Sequence, residues 1–341
     1  MTNSRRTYLE IKYNQKNVTV ELGEHLKSWT YTDNLSGQID DLQIVLEDVE
    51  HLWLSSWFPS QGSLIEATIV KKNWTDQVIK TSIGKFEVDE IEATGANSEV
   101  IIKALSVPES SSIRGEQKSR SWEKTTLKVV AGDIAKNNKL KFFYQANENP
   151  KKDRYEQESE TDLAFLYRLC NEEGLCLKLS NNSIVILDEA DYERKAAVTT
   201  INRVPKEDDA IQIKDNGWSA KTTLSGMFKA CRVQYSDSNK KKTIKATFTP
   251  PKAPKVGRTL VVKEQVKSVA EAQRLAKKKL RERNKEATTV NLTVTSEKHL
   301  DAGMTVNLKG FGKFDGKYII TQVIPSQDTI QLTLRRCLEG Y

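Results

Sequence analysis

Residues 29–59 read WTYTDNLSGQIDDLQIVLEDVEHLWLSSWFP, and this run narrows the folds open to the chain more than any other. Gln43-Ile44-Val45-Leu46-Glu47 is apolar and β-branched between Asp40-Asp41 and Glu47-Asp48, the pattern of a largely buried strand with charged ends. Leu52, Trp53, Leu54, Trp57 and Phe58 follow, and Pro59 and Gly62 end the segment in a turn. Large aromatics beside a strand either fill the end of a core or form a protein-facing patch, since Trp is both the largest packing unit and enriched at binding hot spots. Trp53, Trp57 and Phe58 are accordingly the candidate interface residues.

The flanking sequence has the same character. Short β-type runs at 8–13, 18–22, 43–47, 64–70, 85–91 and 100–105 are punctuated by Gly23, Gly37, Gly62, Gly84 and Gly95. Regular short spacing of this kind predicts a closed or nearly closed antiparallel barrel over residues 1–105. Residues 109–121 are polar and short of core residues, which marks a linker. Beyond it, Leu127, Val130 and Ile134 stand at helical spacing, and Leu163, Leu166, Tyr167 and Cys170 form a second apolar stripe after a Ser159-to-Asp162 start signal. With a hairpin expected around Asn181-Asn182, residues 106–204 read as an α+β domain. Strand character returns at 211–213, 228–235, 289–295, 304–308, 317–323 and 329–335, with Asp315-Gly316 as a hairpin turn. A second barrel is thus expected over 205–240 and 286–341, interrupted by an insert at 241–285 whose helix opens at Ser268-Val269-Ala270-Glu271.

Charge is unevenly placed. From Lys240 to Lys285 there are 16 Lys and Arg against 3 acidic residues, a net of +13, which leaves 37 basic and 43 acidic residues elsewhere, a net of −6. Arg274, Lys277, Lys278 and Arg281 on the expected helix are the candidate basic docking face. A solvated array, an acidic protein partner and a nucleic acid all fit such a run, although Phe248 is its only aromatic and base stacking is unsupported. The longest apolar runs fall far short of a membrane span and the N-terminus lacks a signal-peptide core, so the expectation is cytoplasmic assembly without membrane insertion.

The 29–59 segment, together with Gly257-Arg258-Thr259-Leu260, the 270–276 segment AEAQRLA and the 310–318 segment GFGKFDGKY in the same order, closely resembles the late control protein D family of phages. Members of that family are baseplate hub proteins of contractile tails, in phages or phage-tail-like bacteriocins. The resemblance covers the chain nearly end to end and implies two related tube-type β-barrels plus two smaller domains. It also implies a homotrimer with pseudo-sixfold symmetry, a symmetry adaptor joining the tail tube protein to the spike protein among other baseplate proteins. DNA would pass through its channel without specific binding, and the particle would be a virion or a tailocin.

Enzyme chemistry finds little support in the residues. No GxxxxGK[ST] loop occurs, and the glycines of the 310–316 segment precede a strand, not a helix. The three histidines do not cluster, and Cys170, Cys176, Cys231 and Cys337 lack metal-site spacing, so no cofactor or metal is expected and the thiols read as buried and free. Asp40 and Asp41 are adjacent and would point to opposite faces of a strand. A peptidoglycan-binding or hydrolysing tail component, and a nucleic-acid-binding protein acting through the insert, stand as the alternatives to a structural hub subunit.

Overall fold

A computed structural model describes every residue except 1–3, 96–97, 108–112, 225, 238–241 and 254–255. Part of the expected linker, Lys240, Lys241 and Lys255 of the basic run, and Pro254 lie outside the described residues. The chain is mainly β with α+β modules, but the two expected barrels are not there. Strands from both ends of the chain instead share one open 13-stranded sheet. The reason is visible at the strands that would have to close each end. Leu26–Asn34 does not reach Arg6–Tyr13; its end is taken by Gly316–Pro325 through Asn34 with Gln322 and Asp33 with Val323. The outer edge of Arg6–Tyr13 meets only the two-residue strand Lys16–Asn17.

Both ends are nonetheless built on one plan. The six strands Arg6–Tyr13, Leu26–Asn34, Asp41–Glu47, Leu64–Lys72, Ile79–Thr94 and Glu99–Leu105 lie side by side in the order second, third, sixth, fifth, fourth, first. Thr199–Asn202, Ile211–Thr222, Thr288–Ser296, Thr305–Lys309, Gly316–Pro325 and Ile330–Arg336 follow that order strand for strand. Only the ladder between fourth and first differs, antiparallel near the N-terminus and parallel near the C-terminus. Strict alternation fixes which face is buried: in Asp41–Glu47, Leu42, Ile44 and Leu46 are fully inside while the residues between them are not. Each such side chain contributes ~1.5–3 kcal/mol on burial, and a one-residue slip in register would turn all three to water.

The elements between these two sets were partly legible. Leu127–Asn137 and Asp162–Glu172 are helices, and the Asn181-Asn182 turn has both residues at positive φ, as a tight hairpin requires. The buried stripe of the second helix is Phe165, Leu166, Leu169 and Cys170, with Tyr167 facing out, so the expected stripe was turned by about one position. Residues 18–22, expected as a strand, form the helix Thr19–Gly23, because the Asn17 side chain accepts the Thr19 N–H and Leu22 drops into the core. Part of the expected linker is the strand Gln117–Thr126, paired with Lys151–Thr161 in a ribbon too polar to show as strands by pattern. The expected tight turn at Asp315-Gly316 is a wider loop with a 3-10 turn over Gly312–Phe314, held by the Asp315 carboxylate accepting the Phe311 N–H at 2.6 Å.

The basic helix, Val269–Asn284, opens as its sequence indicates, with the Ser268 hydroxyl accepting the Glu271 N–H at 3.1 Å. It covers a three-stranded sheet of Lys242–Phe248, Phe228–Asp237 and Arg258–Val262, burying Ala272, Ala276 and Leu280 on Cys231, Val233 and Ile244.

One glycine is fixed by its neighbours. Gly217 lies at the irregularity between Ile213 and Trp218, where a methyl group would sit 2.7 Å from the Lys214 carbonyl oxygen and 2.8 Å from that of Thr293. Since neither oxygen can rotate away, Gly217→Ala is expected to cost ~1–3 kcal/mol in urea denaturation. A loss within error of zero would show that the bulge relaxes freely.

Candidate protein interface

The loop after Asp41–Glu47 presents the aromatic residues. Asp48 is buried, and its two carboxylate oxygens accept the N–H groups of Trp53 at 2.9 Å and Leu54 at 3.1 Å. That clamp turns the chain, and the Trp57 N–H reaches back to the Leu52 carbonyl at 2.9 Å. Trp53 is 8% exposed and belongs to the core of the N-terminal sheet, whereas Trp57 is 42% and Phe58 53% exposed. The rings of Trp53 and Trp57 meet edge to face at 5.5 Å, and His25 packs edge-on against both. Beside them runs a groove of about 380 Å³ whose lining includes Tyr13, Val18, Leu22, Phe58 and Pro59. The three predicted aromatics are therefore neighbours with divided roles: Trp53 anchors, while Trp57 and Phe58 face solvent.

The four basic candidates follow one another along one side of the helix at i, i+3, i+4 and i+7, but they differ in what they meet. Arg274 and Lys277 are exposed, with Lys277 6.0 Å from the Phe248 ring. Lys278 bridges Glu148 at 2.9 Å and Glu173 at 3.1 Å on the middle module. Arg281 is 7% exposed, with its guanidinium on Glu193 at 2.6 Å. The acidic surface that answers much of this helix is thus the chain's own, contributed by the segment from 148 to 193. Spacing along the helix revealed the cations but not the carboxylates, which lie far away in sequence.

Around Arg281 a buried ion cluster was not foreseen. Arg335 lies 2.5 Å from both Glu189 and Glu193, Lys285 approaches Glu189 at 3.7 Å, and Glu193 also accepts the Leu338 N–H at 2.9 Å. Burial would raise the Glu189 carboxyl, but Arg335, Lys285 and Arg281 together overcome it and hold it down at about 2. The short helix Glu189–Arg194, the basic helix and the last strand are tied at this point.

A second cluster joins both halves of the large sheet to the middle module. Lys178 donates to Asp33 and to the Asn34 carbonyl at 2.7 Å and lies 3.3 Å from Asp40, while Asp33 accepts the Ala302 N–H at 2.6 Å. Asp40 also accepts the Asn34 N–H at 2.8 Å. Two buried carboxylates share one ammonium here. Burial, reinforced by Asp33, pushes the Asp40 carboxyl up to about 6 despite Lys178.

Among the described residues no group of three or more His, Cys, Asp or Glu is placed to hold a metal ion, and no helix is long and apolar enough to cross a membrane. The four cysteines are free, and burial pushes the Cys231 thiol up to about 11, away from the reactive thiolate.

Comparison with known proteins places this arrangement. Residues 75–326 match the family model described as phage tail baseplate hub (GPD). A probable baseplate hub protein of Escherichia phage 186 is 29% identical over 180 residues, covering 51% of this chain and 43% of that protein. Its counterpart in Escherichia phage P2 is 32% identical over 163 residues, covering 47% of this chain and 39% of that protein. The alignments thus span less than half the length of these curated relatives. Among solved structures, the 43 kDa tail protein of prophage MuSo2 from Shewanella oneidensis superposes with a TM-score of 0.70 at 14% identity, covering 96% of this chain and 98% of that one, a likeness of fold.

Proposed function

This chain belongs to the phage tail baseplate hub (GPD) family, and on that premise we propose that it is a structural subunit that trimerises around a tail channel. In this reading it joins the sixfold tail tube to the threefold spike and catalyses no reaction. The observation that carries it is the repeated strand order: one chain offers two six-strand sets of the same plan within its large sheet, so three chains present six similar surfaces while keeping true threefold symmetry. The open sheet suits this role, because strands left without a partner at its ends are available to neighbouring chains.

The internal ion clusters act as braces in the same scheme. A subunit that transmits a contraction gains from fixed module positions, and each of these buried charges is satisfied only while its partners on the other modules are in place. Trp57 and Phe58 supply an apolar centre for a subunit contact. The basic helix favours this reading over the nucleic-acid one, since Lys278 and Arg281 are already committed to the chain's own carboxylates.

The assembly is tested by light scattering coupled to size-exclusion chromatography, alone and with tube and spike proteins. A trimer is the expected species, and a strict monomer with both partners present would refute the adaptor role. In the same assay Trp57→Ala is expected to weaken association tenfold or more, as a hot-spot truncation does, with thermal stability nearly unchanged because the ring is half exposed. Association equal to wild type would remove Trp57 from the interface.

A further inference from the structure

Two exposed surfaces of this chain carry opposite charge. The first is the aromatic loop. Glu21 lines the groove with Trp57, Glu24 adjoins the His25 that packs on Trp57, and Glu50 sits in the turn before His51. Glu47, whose N–H donates to the His25 carbonyl at 2.8 Å, completes an exposed acidic rim around an apolar centre. Among the described residues Lys16 is the one cation that lines this groove, while Lys27, bonded to Glu99, also acts on Glu47.

The second surface is the outer face of the three-stranded sheet that the basic helix covers from the other side. Cys231 and Val233 point to the helix, so Arg232 points away from it, registered between Thr247 and Val261 on its two neighbours. Lys245 lies diagonally across from Arg232 on the same face, exposed like Thr243 and Thr247. Val261, 53% exposed, gives this face an apolar centre, and exposed Lys263 follows it at the strand end. Among the described side chains this face carries no carboxylate; Glu264 turns to Lys279 on the helix side at 2.9 Å.

We infer that these two surfaces bind each other between copies, the acid-rimmed Trp57 and Phe58 of one chain seated on the Arg232, Lys245 and Val261 face of the next. Opposite rims around apolar centres give both attraction and register, and they suppress like-on-like pairing, because either surface repels a second copy of itself. Two different patches make a head-to-tail contact, which closes into a ring when the rotation per subunit permits. A ring of identical subunits needs that kind of contact. The inference rests on the proposed trimer and adds the surfaces that meet within it.

Sedimentation velocity on the full chain separates the two claims. Arg232→Glu with Lys245→Glu, both exposed on the side of their sheet turned away from the helix, is expected to weaken self-association at least tenfold, and so is Glu21→Lys with Glu50→Lys. One chain carrying all four reversals restores the attraction with its sign exchanged, and its association is expected to return to within about threefold of wild type. Circular dichroism checks that each variant is folded. If wild type is a trimer and the reversals leave it unchanged, the contact is overturned while the trimer stands. If reversal weakens the trimer but the fourfold variant is no better than either pair, the pairing of these two surfaces is overturned. A wild type that stays monomeric at all concentrations removes both the trimer and the contact.

Discussion

Arg335→Leu is expected to lower the unfolding free energy by ~3–5 kcal/mol, the largest effect of any single substitution considered. The guanidinium lies within the protein 2.5 Å from each of two buried carboxylates, Glu189 and Glu193. Removing it strands two negative charges in a site from which water is excluded, and breaking such a pair costs far more than forming it contributes. Arg281 and Lys285 offset only part of that cost, because Arg281 already serves Glu193 and Lys285 stands 3.7 Å from Glu189. Arg335→Lys keeps the charge but not the fork that reaches both carboxylates, and an intermediate loss is expected. A urea midpoint for Arg335→Leu equivalent to less than about 1 kcal/mol would mean that the carboxylates take up protons or water instead.

The second large effect is with pH, and its sign is opposite to the usual acid behaviour. Asp40 has an ordinary carboxyl value of 3.8 when unfolded and about 6 in the folded chain. The folded state therefore holds the proton more tightly, and stability rises as pH falls through 6 and goes on rising toward 3.8. The gain amounts to on the order of 3 kcal/mol when complete, since every tenfold increase in proton affinity on folding corresponds to ~1.4 kcal/mol. Glu189 works the other way: held at about 2 by its cations, its contribution is present above the unfolded value of 4.5 and is lost as pH drops below it. Chemical denaturation from pH 7.5 to 3 should thus show a stability maximum near pH 4, where the Glu189 loss overtakes the Asp40 gain, with Asp40→Asn flat between 7.5 and 5. A variant whose profile parallels wild type over that interval would show that Asp40 does not take up the proton.

Much of this architecture was legible in the chain. The β-type runs at 43–47 and 100–105, the capping pair Ser268 and Glu271, and the Asn181-Asn182 turn are local signals, each resolved within a few residues, and the structure follows them. Family membership was legible for a related reason, since an ordered set of short segments survives when long-range contacts cannot be read. The misses share a cause as well. Closure of a barrel depends on whether the first and last strands of a set meet, and nothing in residues 26–34 announces that their end will pair with 322–323. The ribbon at 117–126 is not legible because its inward positions are mostly charged or polar, Lys118 and Arg120 being turned to Asp162, so its alternation carries no apolar period apart from Trp122. Among the site residues, Trp53, Trp57 and Phe58 lie together as their spacing suggested, but which of them faces solvent was decided by Asp48 holding the backbone turn.

From the amino-acid order alone came the strands, the helices, the concentration of cations at 240–285 and the kinship with hub proteins, because hydrophobic period, capping and composition act over distances shorter than an element. Only the tertiary structure could join the two strand sets in one open sheet, show their common strand order and commit Lys278 and Arg281 to carboxylates roughly a hundred residues away. Those outcomes depend on which edges and charges meet after collapse, and a charge buried on meeting its partner is fixed by a Coulomb energy that falls with distance in space and takes no account of separation along the chain.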